Sequence, residues 1–315
     1  MRLLNFPDGQ ETVRSAYVEC RLRTAEGGES LGKNYNVIPY GTENRRSLNV
    51  KYALVSGERQ QARPGLSAEC PSCARPMVAK CGEVKIWHWA HLGTRTCDPW
   101  WENETEWHRT WKGQFPADWQ EVVHRADSGE KHIADVKTDK GWVLEFQHSY
   151  LKPEERRARD SFYPKLVWVV DGTRRNRDVA QFFEAFKYGV PVGAHSFVRK
   201  IFSDECRLLR EWAGCRAPVF IDFGIESVVW WLFPTSTDGW VHVAQFSRPE
   251  FVGLHRRGTK EKIDEFAKFL QDIPALVAGY YSQLSASQRP QNGRALQSQS
   301  FQHYLARKAR SRRRF

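Results

Sequence analysis

The chain has 315 residues, 41% of them hydrophobic and thirteen of them Trp, and its formal net charge is +11. This composition excludes a disordered protein and supplies one large domain, or two modest ones, with enough apolar material for a core. No window approaches eighteen consecutive apolar residues, and the N-terminus lacks the apolar stretch of a secretory signal. We therefore predict a cytoplasmic protein with no membrane segment.

Most of the positive charge lies in a C-terminal tail. Residues 282–315 contain no Asp or Glu, so their eight basic residues account for eight of the eleven excess charges and leave +3 for the rest. The tail is rich in Ser and Gln, which predicts a flexible segment. It could contact nucleic-acid phosphate, or it could be only a solvated solubility tail. Its basic residues are Arg289, Arg294, Arg307, Lys308, Arg310, Arg312, Arg313 and Arg314.

Two closely spaced pairs of ligand-type residues predict a zinc site. Cys70-Pro-Ser-Cys73 has the spacing of a zinc knuckle, and a predicted hairpin separates it from His88-Trp-Ala-His91. The chain has seven Cys, an odd number, and we predict a reducing compartment for it. Both features favour metal ligation over a disulfide scaffold. Cys97 could replace His88 as a ligand. Four protein ligands leave no position for water, so we expect a Zn²⁺ ion with a structural role.

A second candidate site lies on two strands joined by a short turn. The apolar run Trp142 to Gln147 contains Glu145, and a buried carboxylate needs a hydrogen-bond partner or a metal. Asp135 lies ten residues upstream in another apolar run, and residues 138–141 predict a turn that brings the two carboxylates together. Such oxygens suit a hard divalent cation. A polar cluster kept for hydrogen bonding would give the same pattern.

The helix predicted over residues 102–114 places two polar side chains beside a stripe of Trp residues. Glu104 and His108 fall at the offsets of the helical face that carries this stripe. A packed helix normally keeps Glu and His on its opposite face, so Glu104 is a candidate site residue. The histidines of this region are more simply explained as structural.

The order of the predicted elements indicates the fold. Helix, three strands, helix and strand form the αβββαβ core of restriction-endonuclease-like nucleases, so we predict a mixed α/β (α+β) protein with this core. These elements are the helix 102–114, the strands 119–124, 132–137 and 142–149, the helix 152–163 and the strand 165–171, followed by a helix at 178–188. A C-terminal α+β region is predicted with helices at 204–212 and 260–273 and strands at 219–223, 226–233 and 240–247.

Several spaced motifs agree in order between residues 52 and 172. They are Cys70-x-x-Cys73 with His88-Trp-Ala-His91, Glu104-x-x-x-His108-x-x-x-Lys112, Ala134-Asp135 with Glu145-Phe146-Gln147-His148-Ser149, Pro153-Glu154-Glu155-Arg156-Arg157 with Phe162-Tyr163-Pro164, and Val167-Trp168-Val169-Val170. Together they resemble the competence protein CoiA family, a branch of the PD-(D/E)XK nuclease superfamily. The resemblance implies a zinc-bearing N-terminal region joined to a nuclease-like domain that serves DNA uptake and recombination.

The resemblance also implies roles for individual residues. Asp135 and Glu145 match the acids that hold Mg²⁺ or Mn²⁺, and Glu104 matches the acid of the first helix. Gln147 completes the catalytic set, but many members of the superfamily have Lys at its position. An amide can orient water or a phosphate oxygen but supplies no positive charge. Lys137, or an arginine of the following helix, could supply that charge instead.

Two functions are open at this point. The first is a Mg²⁺-dependent deoxyribonuclease, a hydrolase acting on single- or double-stranded DNA, with recombination proteins as further partners. The second is a non-catalytic DNA-binding or recombination-accessory protein that keeps the fold and the structural zinc. The predicted regions are a β-rich segment (1–60), a zinc-knuckle region (61–101), the nuclease-like domain (102–200), the C-terminal α+β region (201–281) and the basic tail (282–315).

Overall fold

Two β-sheets and six helices make up the described part of the chain. The computed structural model describes residues 49–93, 97–100, 102, 104–193, 197–225, 227–256 and 264–287. Most of the predicted N-terminal segment and of the basic tail lies outside these residues, as does the start of the predicted helix 260–273. The structure is a mixed α+β protein, as predicted.

The smaller sheet has six strands and carries the residues of the predicted zinc region. Its strand order is β1-β6-β5-β4-β2-β3, and neighbouring strands pair antiparallel. Its core includes Met77 and Trp89. The strands are β1 (Asn49–Val50), β2 (Tyr52–Val55), β3 (Glu58–Gln61), β4 (Ser67–Glu69), β5 (Pro76–Lys80) and β6 (His88–His91).

The larger sheet has nine strands in the order β11-β12-β15-β14-β13-β10-β9-β8-β7. From the β7 edge, β7, β8 and β9 pair antiparallel, and β9, β10 and β13 run parallel. The strands from β13 through β14, β15 and β12 to β11 again pair antiparallel. The strands are β7 (Gln120–Arg125), β8 (Lys131–Lys137), β9 (Val143–Gln147), β10 (Leu166–Asp171), β11 (Val190–Pro191), β12 (Val198–Phe202), β13 (Val219–Asp222), β14 (Val228–Thr237) and β15 (Trp240–Ser247).

Helices cover both faces of the larger sheet. On one face α2, α3 and α4 pack on a core that contains Val143 of β9, and on the other face α1, α5 and α6 pack on a core that contains Leu144 and Phe146. Side chains of β9 therefore alternate between two buried faces, which explains its largely apolar sequence. The helices are α1 (Glu106–Lys112), α2 (Pro153–Phe162), α3 (Asn176–Tyr188), α4 (Arg207–Trp212), α5 (Arg248–Arg256) and α6 (Glu265–Ser287).

The chain order α1, β7, β8, β9, α2, β10 is the predicted succession of helix, three strands, helix and strand. The strands of the predicted C-terminal region extend the same sheet, because β13 pairs with β10 in parallel. The predicted boundary between residues 200 and 201 therefore crosses one continuous sheet. In the part of the chain that the structure describes, no helix combines the length and the hydropathy of a membrane span.

Candidate metal centre and active site

Four ligand-type side chains converge at one end of the smaller sheet. Cys70 and Cys73 lie in the loop between β4 and β5, His91 ends β6, and Cys97 follows it. Their ligand atoms all lie within 4.8 Å of one another, and we call them the Cys/His cluster. The loop is a tight turn in which the Ala74 amide donates to the Cys70 carbonyl at 2.8 Å. Such a turn aims both thiols to the same side.

The spacing of these atoms fits zinc. Zn–S bonds of about 2.3 Å in a tetrahedral site place neighbouring sulfurs about 3.8 Å apart. The Sγ atoms of Cys70 and Cys97 are 3.7 Å apart, and Cys73 Sγ lies 3.2 Å from His91 Nε2. The hydrogen bond between the two thiols lowers the pKa of Cys70 to about 5 and raises that of Cys97, so the pair holds one thiolate of the kind that binds metals. The cluster could therefore hold a zinc ion with four protein ligands.

His88 is not part of the Cys/His cluster. Its Nδ1 forms a hydrogen bond of 2.7 Å with the carbonyl of Ile86. The sequence left open whether His88 or Cys97 is the fourth ligand. The structure brings Cys97 into the cluster and leaves His88 outside it. His88 and His91 are three residues apart on a strand, and side chains that differ by an odd number of residues point to opposite faces.

A cavity next to α1 brings the predicted carboxylates together. The Cα pairing of β8 and β9 includes Val136 with Leu144 and Lys137 with Val143, and ends before Asp135 and Glu145. There the Asp135 Oδ2 accepts the Phe146 amide at 3.0 Å, so a side chain replaces the backbone ladder. The ionisable residues that line this carboxylate cavity are Asp98, Glu102, Glu104, His108, Lys112, Glu121, Asp135, Glu145, Arg159 and Tyr163.

Glu145 is buried in the wall of the carboxylate cavity. Arg159 of α2 donates to its Oε2 at 3.1 Å, whereas the buried Oε1 has no hydrogen-bond partner among the described residues. Burial, together with the negative charge of Asp135, raises the pKa of Glu145 to about 8 against the opposing charge of Arg159. A carboxylate with a raised pKa and an unpaired buried oxygen has too little positive charge around it. A divalent cation would supply that charge.

Lys112 is the second cation of the cavity. It ends α1 and is buried, with its Nζ 2.5 Å from Glu104, 2.8 Å from Glu121 and 3.8 Å from Asp135. These carboxylates raise the pKa of Lys112 although burial opposes them, so the amine stays charged. The charges of Lys112 and Arg109 likewise lower the pKa of Glu104 against the effect of its burial. The cavity therefore contains a fixed ammonium group beside Asp135.

Glu104 reaches the cavity from just before the helix and not from within it. The predicted helix began at residue 102, but α1 begins at Glu106 because Thr105 caps it. His108 accepts the Thr105 amide through Nδ1, which completes a capping box. The predicted structural role of His108 is thus present, and its ring also lines the cavity.

Gln147 and Lys137 do not supply charge to the cavity. Gln147 Nε2 donates to Glu102 Oε2 at 2.7 Å, with further contacts to Ser149. The Lys137 amine lies 3.1 Å from His124. Of the two sources of charge that the sequence suggested, the arginine of α2 is present as Arg159, and Lys137 is not.

Sequence reasoning missed two acids that connect the cavity with the smaller sheet. Glu121 accepts the amides of Lys51 and Tyr52 at 2.9 and 3.0 Å, as well as the Lys112 amine. Asp98 adjoins Cys97 and accepts the amide of Ile133 at 2.7 Å. Glu121 has a φ of 48°, an uncommon backbone conformation for a Glu. The only sequence signal was the position of Asp98 beside a ligand.

The two regions differ in how tightly their ligands converge. Among the described residues, three or more metal-ligand atoms come within 4.8 Å of one another only in the Cys/His cluster. The cavity has six carboxylates against Lys112 and Arg159, an excess of four formal negative charges. Such an open acidic site could bind a hard cation together with water.

The comparisons with known proteins concern the first of these regions. Residues 60–99 match the family model described as competence protein CoiA, N-terminal domain. The match includes all four residues of the Cys/His cluster, but it does not reach Asp135 or Glu145. Comparison with curated proteins and comparison with solved structures each give no match.

Proposed function

We propose that this chain, a member of the competence protein CoiA family on the match of its residues 60–99, is a metal-dependent DNA nuclease of the PD-(D/E)XK type that acts in the cytoplasm. The observation that carries the proposal is the carboxylate cavity. Asp135 and Glu145 lie where β8 and β9 separate, with the ammonium group of Lys112 beside Asp135. Two acids and one cation at a break in a sheet suit phosphodiester hydrolysis.

The topology around the cavity supports the same function. The order α1, β7, β8, β9, α2, β10, with β10 parallel to β9, agrees with the αβββαβ succession that the sequence predicts for a restriction-endonuclease-like nuclease. The acids lie on the second and third strands of this succession, where the resemblance places the metal-binding pair.

The residues of the cavity fit Mg²⁺ or Mn²⁺. Glu145 offers a buried oxygen without a protein partner, and Asp135 is partly exposed at the cavity, with Glu104 as a third acid. Oxygen ligands in an open site are those that Mg²⁺ prefers, since it usually keeps several waters. A bound ion would activate water and neutralise charge on the scissile phosphate.

The side chains around these acids have separate tasks. Lys112 places a positive charge beside Asp135, as the missing lysine at position 147 would, and can stabilise charge on a phosphate oxygen. Arg159 fixes Glu145 by an ion pair from α2 and is a positioning residue. Gln147 holds Glu102 in place and does not act on the phosphate.

A cleavage assay tests the proposal. Wild-type protein with bound zinc is incubated with Mg²⁺ and linear, circular, branched and single-stranded DNA. We expect cleavage of at least one substrate and a loss of about a thousandfold in Asp135→Asn and in Glu145→Gln, because each removes a metal-binding charge. Glu154→Gln is the matched control, since this acid of α2 is exposed. Absence of cleavage in the wild type, or cleavage at the wild-type rate in both variants, contradicts the proposal.

A second candidate is a DNA-binding or recombination-accessory protein without catalysis. It is favoured by one observation, namely that Lys112 and Arg159 already pair with the acids of the cavity. On this account the acids are structural, zinc stays in the Cys/His cluster, and DNA is bound but not cut. The cleavage assay separates the two functions.

A further inference from the structure

A groove lined by arginines lies beside the carboxylate cavity, at the carboxyl ends of two parallel strands. Gln147, Ser149 and Tyr150, at and after the end of β9, form one wall, and Val170 of β10 lies in another. The strands β9 and β10 are parallel, so their carboxyl ends meet at the same edge of the sheet. Crevices at this edge are the usual ligand sites of parallel sheets.

The arginine groove carries a concentrated excess of positive charge. It consists of two adjoining cavities that share Arg174, and together they contain six arginines but two carboxylates, Asp178 and Glu211. The formal excess is four positive charges, equal in size and opposite in sign to that of the carboxylate cavity. The arginines are Arg156, Arg174, Arg175, Arg177, Arg207 and Arg210.

The carboxylates of the groove do not neutralise these arginines. Glu211 is shared by Arg174, Arg175 and Arg207, at 3.5, 2.6 and 2.8 Å. Burial and the charge of Arg175 together lower the pKa of Arg174. Guanidinium groups crowded in this way are stabilised by an anion, and their planar donors match phosphate oxygens.

The groove also offers an aromatic surface for a base. The Tyr150 side chain is 54% exposed, and the guanidinium carbon of Arg174 lies 5.9 Å from its ring centre. Exposed aromatic rings beside a basic groove stack the unpaired bases of single strands, whereas the bases of a duplex are stacked on each other. Tyr150 therefore favours a single strand over a duplex.

Hydrogen bonds connect the lining of the groove with the lining of the carboxylate cavity. Gln147 and Ser149 line the groove, and both donate to Glu102, which lines the cavity. The groove and the cavity are therefore connected through the hydrogen bonds to Glu102. We propose that the groove binds single-stranded DNA, with consecutive phosphates on the arginines and a base on Tyr150. Delivery of this strand to the cavity rests on the proposed nuclease function, but its binding does not.

Fluorescence anisotropy of labelled oligo(dT) with the full chain tests the binding. No divalent cation or chelator is added, so zinc is retained and cleavage is avoided. We expect Arg174→Ala/Arg210→Ala to weaken binding at least tenfold and to reduce the salt slope by about 1.4, since each lost phosphate contact on a single strand is worth about 0.7. Tyr150→Ala should weaken binding about tenfold.

The matched control removes two charges outside the groove. Lys187→Ala/Lys268→Ala changes exposed lysines of α3 and α6 that line neither cavity of the groove. Its affinity should stay within about twofold of the wild type. Equal losses in the control and groove variants, or equal wild-type affinity for a duplex of the same length, would overturn the inference.

Photo-crosslinking places the strand on the protein. Oligo(dT) that contains 5-iododeoxyuridine should crosslink to the peptide that contains Tyr150, and the basic tail is the competing site. A crosslink only to residues 282–315 overturns the inference.

The binding and cleavage results separate the groove from the proposed nuclease. Binding at Tyr150 without Mg²⁺-dependent cleavage would contradict the proposed nuclease but support the inference about the groove. Groove variants that bind DNA normally and cleave it at the wild-type rate would support the proposed nuclease and overturn the inference about the groove.

Discussion

The Cys/His cluster and the carboxylate cavity both consist of side chains that suit a cation. The two sites differ in how the protein holds those side chains. In the cluster, four ligand atoms converge within 4.8 Å and come from one stretch of chain, residues 70–97. In the cavity, acids from several elements are held by Lys112 and Arg159. A closed set of four ligands fits a structural ion, and an open acidic set fits an ion that shares its coordination with water and substrate.

Removal of a ligand from the Cys/His cluster should have the largest effect. Cys97→Ala is expected to lose zinc and to unfold the smaller sheet, since structural zinc contributes about 10 kcal/mol or more in small zinc domains. Elemental analysis and thermal melting measure both effects.

The control for this prediction is His88→Ala, which removes a histidine bonded to the Ile86 carbonyl. It should keep one zinc per chain and a nearly unchanged melting temperature. Loss of zinc in His88→Ala with retention in Cys97→Ala would reverse the assignment of the ligands.

Lys112→Met should have the next largest effect and would show that protein cations hold the cavity together. The change leaves Glu104 and Glu121 buried without their ammonium partner, which costs about 3–5 kcal/mol. Lys268→Met is the control, because its ion pair with Asp272 is exposed and is worth at most about 0.5 kcal/mol. Urea unfolding compares the two variants, and equal losses would mean that the burial of Lys112 has no consequence.

The pH dependence of stability should distinguish the cavity from the cluster. In the folded chain the pKa of Glu145 is raised from 4.5 to about 8 by burial and by Asp135. The protonated form is therefore favoured by folding, and this contribution is fully present below about pH 4.5 and is lost as the pH rises towards 8. Glu145→Gln should flatten this part of the profile in thermal melts without added Mg²⁺. An identical profile in the wild type and the variant would contradict the raised pKa.

The smallest effect is expected at Gln147. Gln147→Lys should not raise the rate of Mg²⁺-dependent DNA cleavage by more than about threefold, because residue 147 faces Glu102 and Lys112 already supplies a positive charge. Gln147→Ala should lose about 1–2 kcal/mol of stability, since it removes a buried hydrogen bond to Glu102. A large gain in cleavage by Gln147→Lys would mean that Lys112 does not take the place of the missing lysine.

The sequence was informative where the structure depends on neighbouring residues. The Cys70–Cys73 pair was recognisable because the knuckle spacing is local, and β9 was recognisable because apolar residues surround Glu145. The choice between His88 and Cys97 was not local. It depends on which face of β6 meets the loop of Cys70, and that is decided by the packing of the smaller sheet.

The cavity illustrates what the sequence could not show. Lys112 belongs to the motif Glu104-x-x-x-His108-x-x-x-Lys112, but its burial among three acids was not predicted, because a lysine at the end of a helix is usually exposed and complements the helix dipole. The left-handed backbone conformation of Glu121 could not be predicted either, because residues other than Gly rarely adopt it. Helix α5 was not predicted, because Gly253 lowers its helix propensity while packing of the buried Phe251 stabilises it.

The proposed nuclease depends most directly on whether the carboxylate cavity binds a hard divalent cation. Isothermal titration of Mn²⁺ into wild-type protein that already holds one zinc per chain, repeated with Glu145→Gln, measures this. We expect wild-type protein to bind Mn²⁺ in competition with Mg²⁺, and the variant to keep its zinc and bind Mn²⁺ at least tenfold more weakly. Absence of Mn²⁺ binding to the wild type, or equal binding by the variant, would contradict a metal site in the carboxylate cavity.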